Sequence, residues 1–167
     1  MKFSRFKQLV DMMFQPDGEG GIVERYAEKD PRAIHPLVLA YVGDAYFHLF
    51  VRTRLLSFEQ AQVQALHTFS AQIVSAVWQA RAYQGIEAML TEEEKGIYRR
   101  GRNAKSHAPR SASVAEYHAS TGFEALIGSL FLAGREERLE EICEASFQVI
   151  SRAMMKSIQE RHLPQES

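Results

Sequence analysis

Cysteine is nearly absent from this chain. Its single occurrence, Cys143, excludes an intramolecular disulfide framework and a cysteine-rich zinc centre, and the residue reads as a small core side chain. The six histidines are scattered at 35, 48, 67, 107, 118 and 162, and none forms an H-x-x-x-H pair, so no helical zinc site is signalled. Nothing approaches the roughly 18 consecutive apolar residues of a membrane span. The opening MKFSRFKQLVDMMF lacks the long apolar run of a signal peptide. A cytoplasmic protein with no membrane association is expected. With 5 prolines and 10 glycines the chain is neither collagen-like nor of low complexity. Period-two alternation and internal repeats are also missing, and no glycine-rich phosphate fingerprint follows a strand. The net charge of −1 by itself points to no polyanion.

What remains is sufficient for one packed domain. The chain has 167 residues, 46% hydrophobic and 25% charged, an ordinary globular composition. Apolar spacing predicts an all-α architecture. Residues 1–30 comprise an amphipathic helix over 2–14, a turn-rich loop over 15–21 and a short segment over 22–29. Pro36 suits a first helical position and opens a helix running to about Leu56. That helix is apolar nearly all round, so it is expected to be the central, buried one. Ser57 with Gln60 predicts a cap for a helix over 58–83, ended by Gly85. Capping boxes at Thr91/Glu94 and Ser113/Glu116 open two further helices, the second stopped by Gly134. The last helix covers 136–161, and residues 163–167 form a frayed tail.

Two acids stand out because their surroundings are apolar. Asp44 lies in LAYVGDAYFHLF and Glu124 in STGFEALIGSLFLAG. A buried carboxylate is costly unless it is paired or binds a metal. Gly43 beside Asp44 allows another helix to approach closely. Two such acids on two core helices can face each other and share a divalent cation, and carboxylate-plus-water ligation suits Mg²⁺. The plainer alternative is that each acid is paired with a base, Asp44 with an arginine for instance. From Lys95 to Arg110 (KGIYRRGRNAKSHAPR) there are bases and no acids. That segment is either a solvated helix face or a local polyanion site. Gly101, Asn103 and Ser106 within it are expected to expose backbone N–H groups. His48 reads as a core histidine or one supporting the acids, while His107 and His118 are candidates to meet phosphate.

These blocks resemble a known family. HPLVLAYVGDA (35–45), RRGRNAKS (99–106) and STGFEALIGSLFL (120–132) look like the ribonuclease III catalytic domain. The likeness is closer to the branch that lacks a double-stranded-RNA-binding domain, the Mini-ribonuclease III branch. The resemblance implies a single helical domain over 1–167, homodimeric, with a valley for double-stranded RNA between protomers. It implies a Mg²⁺-dependent endoribonuclease, with Mn²⁺ as a possible substitute, leaving a 5′-phosphate and a 3′-hydroxyl. The expected substrate is precursor RNA, the ends of large-subunit (23S) ribosomal RNA, with a ribosomal-protein helper as a further possible partner. By matching position Asp44 and Glu124 are the catalytic metal ligands. Arg99, Arg100, Arg102, Asn103, Lys105 and Ser106 are the RNA-binding residues. The longer members of the family have further acids four residues before the aspartate and three before the glutamate. Here those positions are Ala40 and Thr121. Residues spaced i, i+3 and i, i+4 share a helix face, so both missing acids would have lined the same site. Weaker metal affinity is expected, with the Thr121 hydroxyl reaching the metal through water. Three alternatives remain: a non-catalytic duplex-RNA-binding module on the same fold, a helical hydrolase of small nucleotides, and a helical scaffold with paired acids.

Overall fold

The computed structural model describes residues 3–13, 16, 18–21, 30–105 and 113–162. Among these residues the regular structure is helical, without strands: α1 (Phe3–Met13), α2 (Pro36–Leu55), α3 (Val63–Ile73), α4 (Ala76–Ile86), α5 (Glu92–Arg102), α6 (Val114–Leu132) and α7 (Glu136–His162). Short 3₁₀ turns precede α2 and follow α4. The tail over 163–167, the segment over 22–29 and Ser106, His107 and Arg110 lie outside the described residues.

The helix boundaries follow local chemistry. Asp30 caps the turn before α2 by accepting from the Arg32 amide at 2.9 Å. His35 Nδ1 accepts from the Leu37 amide at 3.3 Å, and Pro36 occupies the first turn of α2. Both expected capping boxes form, Thr91 with Glu94 on α5 and Ser113 with Glu116 on α6. α6 ends in a Schellman motif. Gly134 takes φ +64, and the Arg135 amide reaches back to the Leu130 carbonyl at 3.1 Å.

The single helix expected over 58–83 is in fact two. The Glu59 carboxylate accepts from the Ala61 and Gln62 amides at 2.6 and 3.1 Å. This turn competes with helix formation, so α3 starts at Val63, with Gln62 and not Ser57 at its N-terminal boundary and no side-chain cap. Ser75, in extended conformation, then separates α3 from α4. Gly85 does not end α4, which runs on to Ile86. Its lack of a side chain serves packing instead, because a Cβ there would sit 2.6 Å from Val149 of α7.

The central helix is α6 and not α2. α6 packs on α2, α4, α5 and α7, and Phe123, Leu126, Ile127 and Leu130 are fully enclosed. Phe123 meets Phe47 of α2 edge-on at 5.0 Å. α2 buries one stripe, Leu39, Ala40, Gly43, Phe47, Val51 and Leu55. It leaves Val38, Tyr41 and Leu49 exposed. Its all-round apolar character therefore exceeds what this fold covers. α5 is fastened to α7 through Glu94, which is buried and bound by Arg138 in a two-pronged pair at 2.9 and 2.8 Å. That guanidinium holds the Glu94 carboxyl below its ordinary range. α1 buries none of its residues.

Candidate active site

Two glycine-mediated crossings build the site. The first joins α2 to α6. A Cβ on Gly43 would overlap the Glu124 carbonyl oxygen, and a Cβ on Gly128 would overlap the Leu39 carbonyl oxygen. Each glycine thus lets the other helix's backbone in, and the crossing sets Asp44 beside Glu124. The second joins α5 to α6. A Cβ on Gly101 would stand 2.7 Å from the Ala125 Cβ and 2.9 Å from the Thr121 carbonyl oxygen, and one on Gly122 would stand 2.7 Å from the Tyr98 ring. This brings the basic end of α5 to the helix that carries Glu124.

The two acids differ in environment. Glu124 is largely enclosed. Burial and the neighbouring Asp44 charge raise its pKa to about 8, partly offset by the Gln79 amide and His48. Asp44 is not buried, contrary to expectation, since 49% of its side chain is exposed. It lies beside Gly43, at the rim of the crossing. His48, one turn on, holds it: His48 Nδ1 lies 3.0 Å from both an Asp44 carboxylate oxygen and the Asp44 carbonyl. Both partners can only accept, so Nδ1 carries the proton and Nε2 is the free nitrogen. That contact raises the His48 pKa.

Among the described residues neither acid pairs with an arginine or lysine. Two adjacent carboxylates, one of them forced towards its neutral form, constitute a donor set that a divalent cation would satisfy. No cluster of three or more His, Cys, Asp or Glu suited to a metal occurs among the described residues. A cation here would therefore keep most of its ligands as water, as Mg²⁺ does. Thr121 is buried and its hydroxyl donates to the Tyr117 carbonyl at 3.0 Å. Only its lone pairs remain for anything else.

The basic residues separate into roles. Arg99, Arg102, Asn103 and Lys105 are exposed around the C-terminal end of α5. Arg100 donates to the Ile34 carbonyl at 3.1 Å and so ties α5 to the segment before α2. Gly101 is buried within α5, and its part is the close approach to α6 instead of an exposed N–H. His118 is half-buried, and its buried Nδ1 has no hydrogen-bond partner.

Gln79 on α4 is the residue that sequence reasoning passed over. It is fully buried, and neither Nε2 nor Oε1 has a hydrogen-bond partner. The amide lies near enough to Glu124 to favour its ionised form, without being aligned for a hydrogen bond. Such an unsatisfied buried group costs about 1–3 kcal/mol. Its one visible signal was a polar residue on the otherwise apolar buried face of α4.

The model of the Ribonuclease III domain matches residues 37–135, which contain both crossings, both acids and the basic turn. A protein named Mini-ribonuclease 3 from Symbiobacterium thermophilum is 49% identical over 124 residues, covering 74% of this chain and 95% of that protein. A Mini-ribonuclease 3 from a Thermoanaerobacter species is 46% identical over 119 residues, covering 71% and 84%. The crystal structure of a protein from Fusobacterium nucleatum superposes with a TM-score of 0.65 at 35% identity, covering 72% of this chain and 98% of that one.

Proposed function

Because this chain belongs to the ribonuclease III family, in its Mini-ribonuclease III branch, we propose that it is a metal-dependent endoribonuclease acting on double-stranded precursor RNA. The observation that carries the proposal is the Gly43/Gly128 crossing, which sets two carboxylates, neither paired with an arginine or lysine among the described residues, side by side next to an exposed basic turn. Asp44 and Glu124 hold Mg²⁺, or Mn²⁺ in its place. When bound, that ion supplies charge neutralisation at the scissile phosphate and a more acidic water. His48 fixes the rotamer of Asp44 from one side. Arg99, Arg102, Asn103 and Lys105 contact backbone phosphates and riboses, which is how duplex RNA is held with little sequence readout. Water adds to phosphorus and the bond to the 3′ oxygen breaks, leaving a 5′-phosphate and a 3′-hydroxyl. The open aspect of Asp44, about half exposed, suits a long polymer better than an enclosed nucleotide pocket.

A homodimer completes the proposal. Tyr41, Ala45 and Leu49 form an exposed stripe along α2 beside Asp44 and His48. An apolar stripe of this kind marks an interaction surface, and a two-fold related pair would present one site to each strand of a duplex. Ends of large-subunit ribosomal RNA are the proposed natural substrate, in the cytoplasm, with a ribosomal protein as possible presenter. The deciding experiment incubates purified protein with a long perfect RNA duplex, with Mg²⁺ or with chelator, beside Glu124→Gln. Cleavage only by the wild type and only with Mg²⁺ supports the proposal. Duplex binding without cleavage, even with ribosomal proteins added, would leave a non-catalytic RNA-binding module.

A further inference from the structure

Gln79 has a position that packing alone does not account for. Its side chain is fully enclosed, and both polar atoms lack partners. A leucine or methionine would fill the same space without stranding a donor and an acceptor. α4 packs on α6, and Glu124 of α6 lies within reach of the Gln79 amide. α4 itself is firmly placed. Tyr83 stacks on Tyr98 of α5 with ring centroids 3.3 Å apart, and Gly85 lets α4 close on Val149 of α7. The amide is therefore presented to Glu124 by a rigid element and has nothing else to bind.

We infer that Gln79 is a positioning residue for Glu124: in the metal-loaded site its Nε2–H donates to the Glu124 carboxylate and fixes which oxygen faces the cation. The inference rests on the metal site proposed above. A neutral amide is suited to the task. It orients a ligand carboxylate without competing for it, as a lysine or arginine would, and without adding a third negative charge. Supporting hydrogen bonds of this kind affect metal affinity by about 10- to 100-fold. Among the described residues no third acid joins the two at the site, so the orientation of each matters more.

The test uses Gln79→Met, which keeps length and volume while removing both hydrogen-bonding atoms. Free Mn²⁺ is followed by electron paramagnetic resonance as each protein is titrated. Thermal melting and duplex-RNA binding are measured in chelator. The expected result is a Kd for Mn²⁺ weakened about 10- to 100-fold, with melting temperature and chelator-state RNA binding unchanged or improved. In a Glu124→Gln background the same substitution should produce no further weakening. Equal Mn²⁺ affinity of wild type and Gln79→Met would reduce Gln79 to a space-filling residue and overturn the inference, while leaving the metal site itself standing. If wild type binds no Mn²⁺ at all, the metal site and this inference fall together. Should Gln79→Met not fold, Gln79→Asn, which withdraws the amide by one methylene, replaces it with the same two readings.

Discussion

Glu124→Gln should make the metal-free protein more stable, by an amount that grows as pH rises above about 4.5 and is complete above about 8. The fold raises this carboxyl from its ordinary 4.5 to about 8, through burial and then the Asp44 charge. A carboxyl with a raised folded pKa binds its proton more tightly in the fold. Stability therefore falls as pH rises from about 4.5 towards 8 and levels off above that. Taken at face value the shift is worth at most about 5 kcal/mol. Asp44 is half exposed, and solvent screens its repulsion, so about 2 kcal/mol is the realised expectation. For a chain of this size that is roughly 4–8 °C in melting temperature. Scanning calorimetry in chelator should show wild type and variant coinciding near pH 4.5 and the variant melting higher near pH 9. Mg²⁺ should reverse the order at pH 9, because the cation stabilises only the ionised pair. Identical melting of the two proteins at every pH, or equal stabilisation of both by Mg²⁺, would refute the account of two mutually repelling carboxylates awaiting a cation.

Other consequences follow from the same geometry. Gly43→Ala would drive a methyl into the Glu124 backbone carbonyl, a contact no side-chain rotation relieves. A loss of at least about 3 kcal/mol is expected, seen as a much lower urea midpoint or as insoluble protein. Glu94→Gln removes one member of a buried ion pair and weakens a capping box. It should cost about 2–3 kcal/mol by chemical denaturation, with cleavage per folded molecule unchanged. Lys105→Ala and Arg102→Ala should each weaken duplex binding across all sequences, and each should reduce the slope of log affinity against log salt by about one. Arg100→Ala should chiefly lower stability, because its guanidinium already holds Ile34.

Much of the molecule was legible in the chain because it depended on residues close in sequence. Two capping boxes, the proline start of α2 and the glycine stop of α6 are contests among neighbouring backbone groups, and they resolve locally. So did the recognition that Asp44 and Glu124 are misplaced in apolar helices, and that Gly43 allows a close approach. Periodicity failed where a side chain competed with the helix, as Glu59 does for the amides of Ala61 and Gln62. It failed again at Gly85, where a residue that commonly stops helices was needed for packing against Val149.

The sequence by itself determined an all-α chain, its helix caps, the two candidate acids and the concentration of bases after Lys95. Tertiary structure alone decided which helix is central, since apolar content cannot say which faces find partners: α6 is surrounded, and α2 keeps an uncovered stripe. It decided that Asp44 is half exposed while Glu124 is largely enclosed, because exposure depends on how distant helices pack. It decided that Arg100 reaches the Ile34 carbonyl and that Gln79, 45 positions before Glu124, lies at its side. Such pairings follow from helix crossings between distant segments, and no local periodicity encodes them.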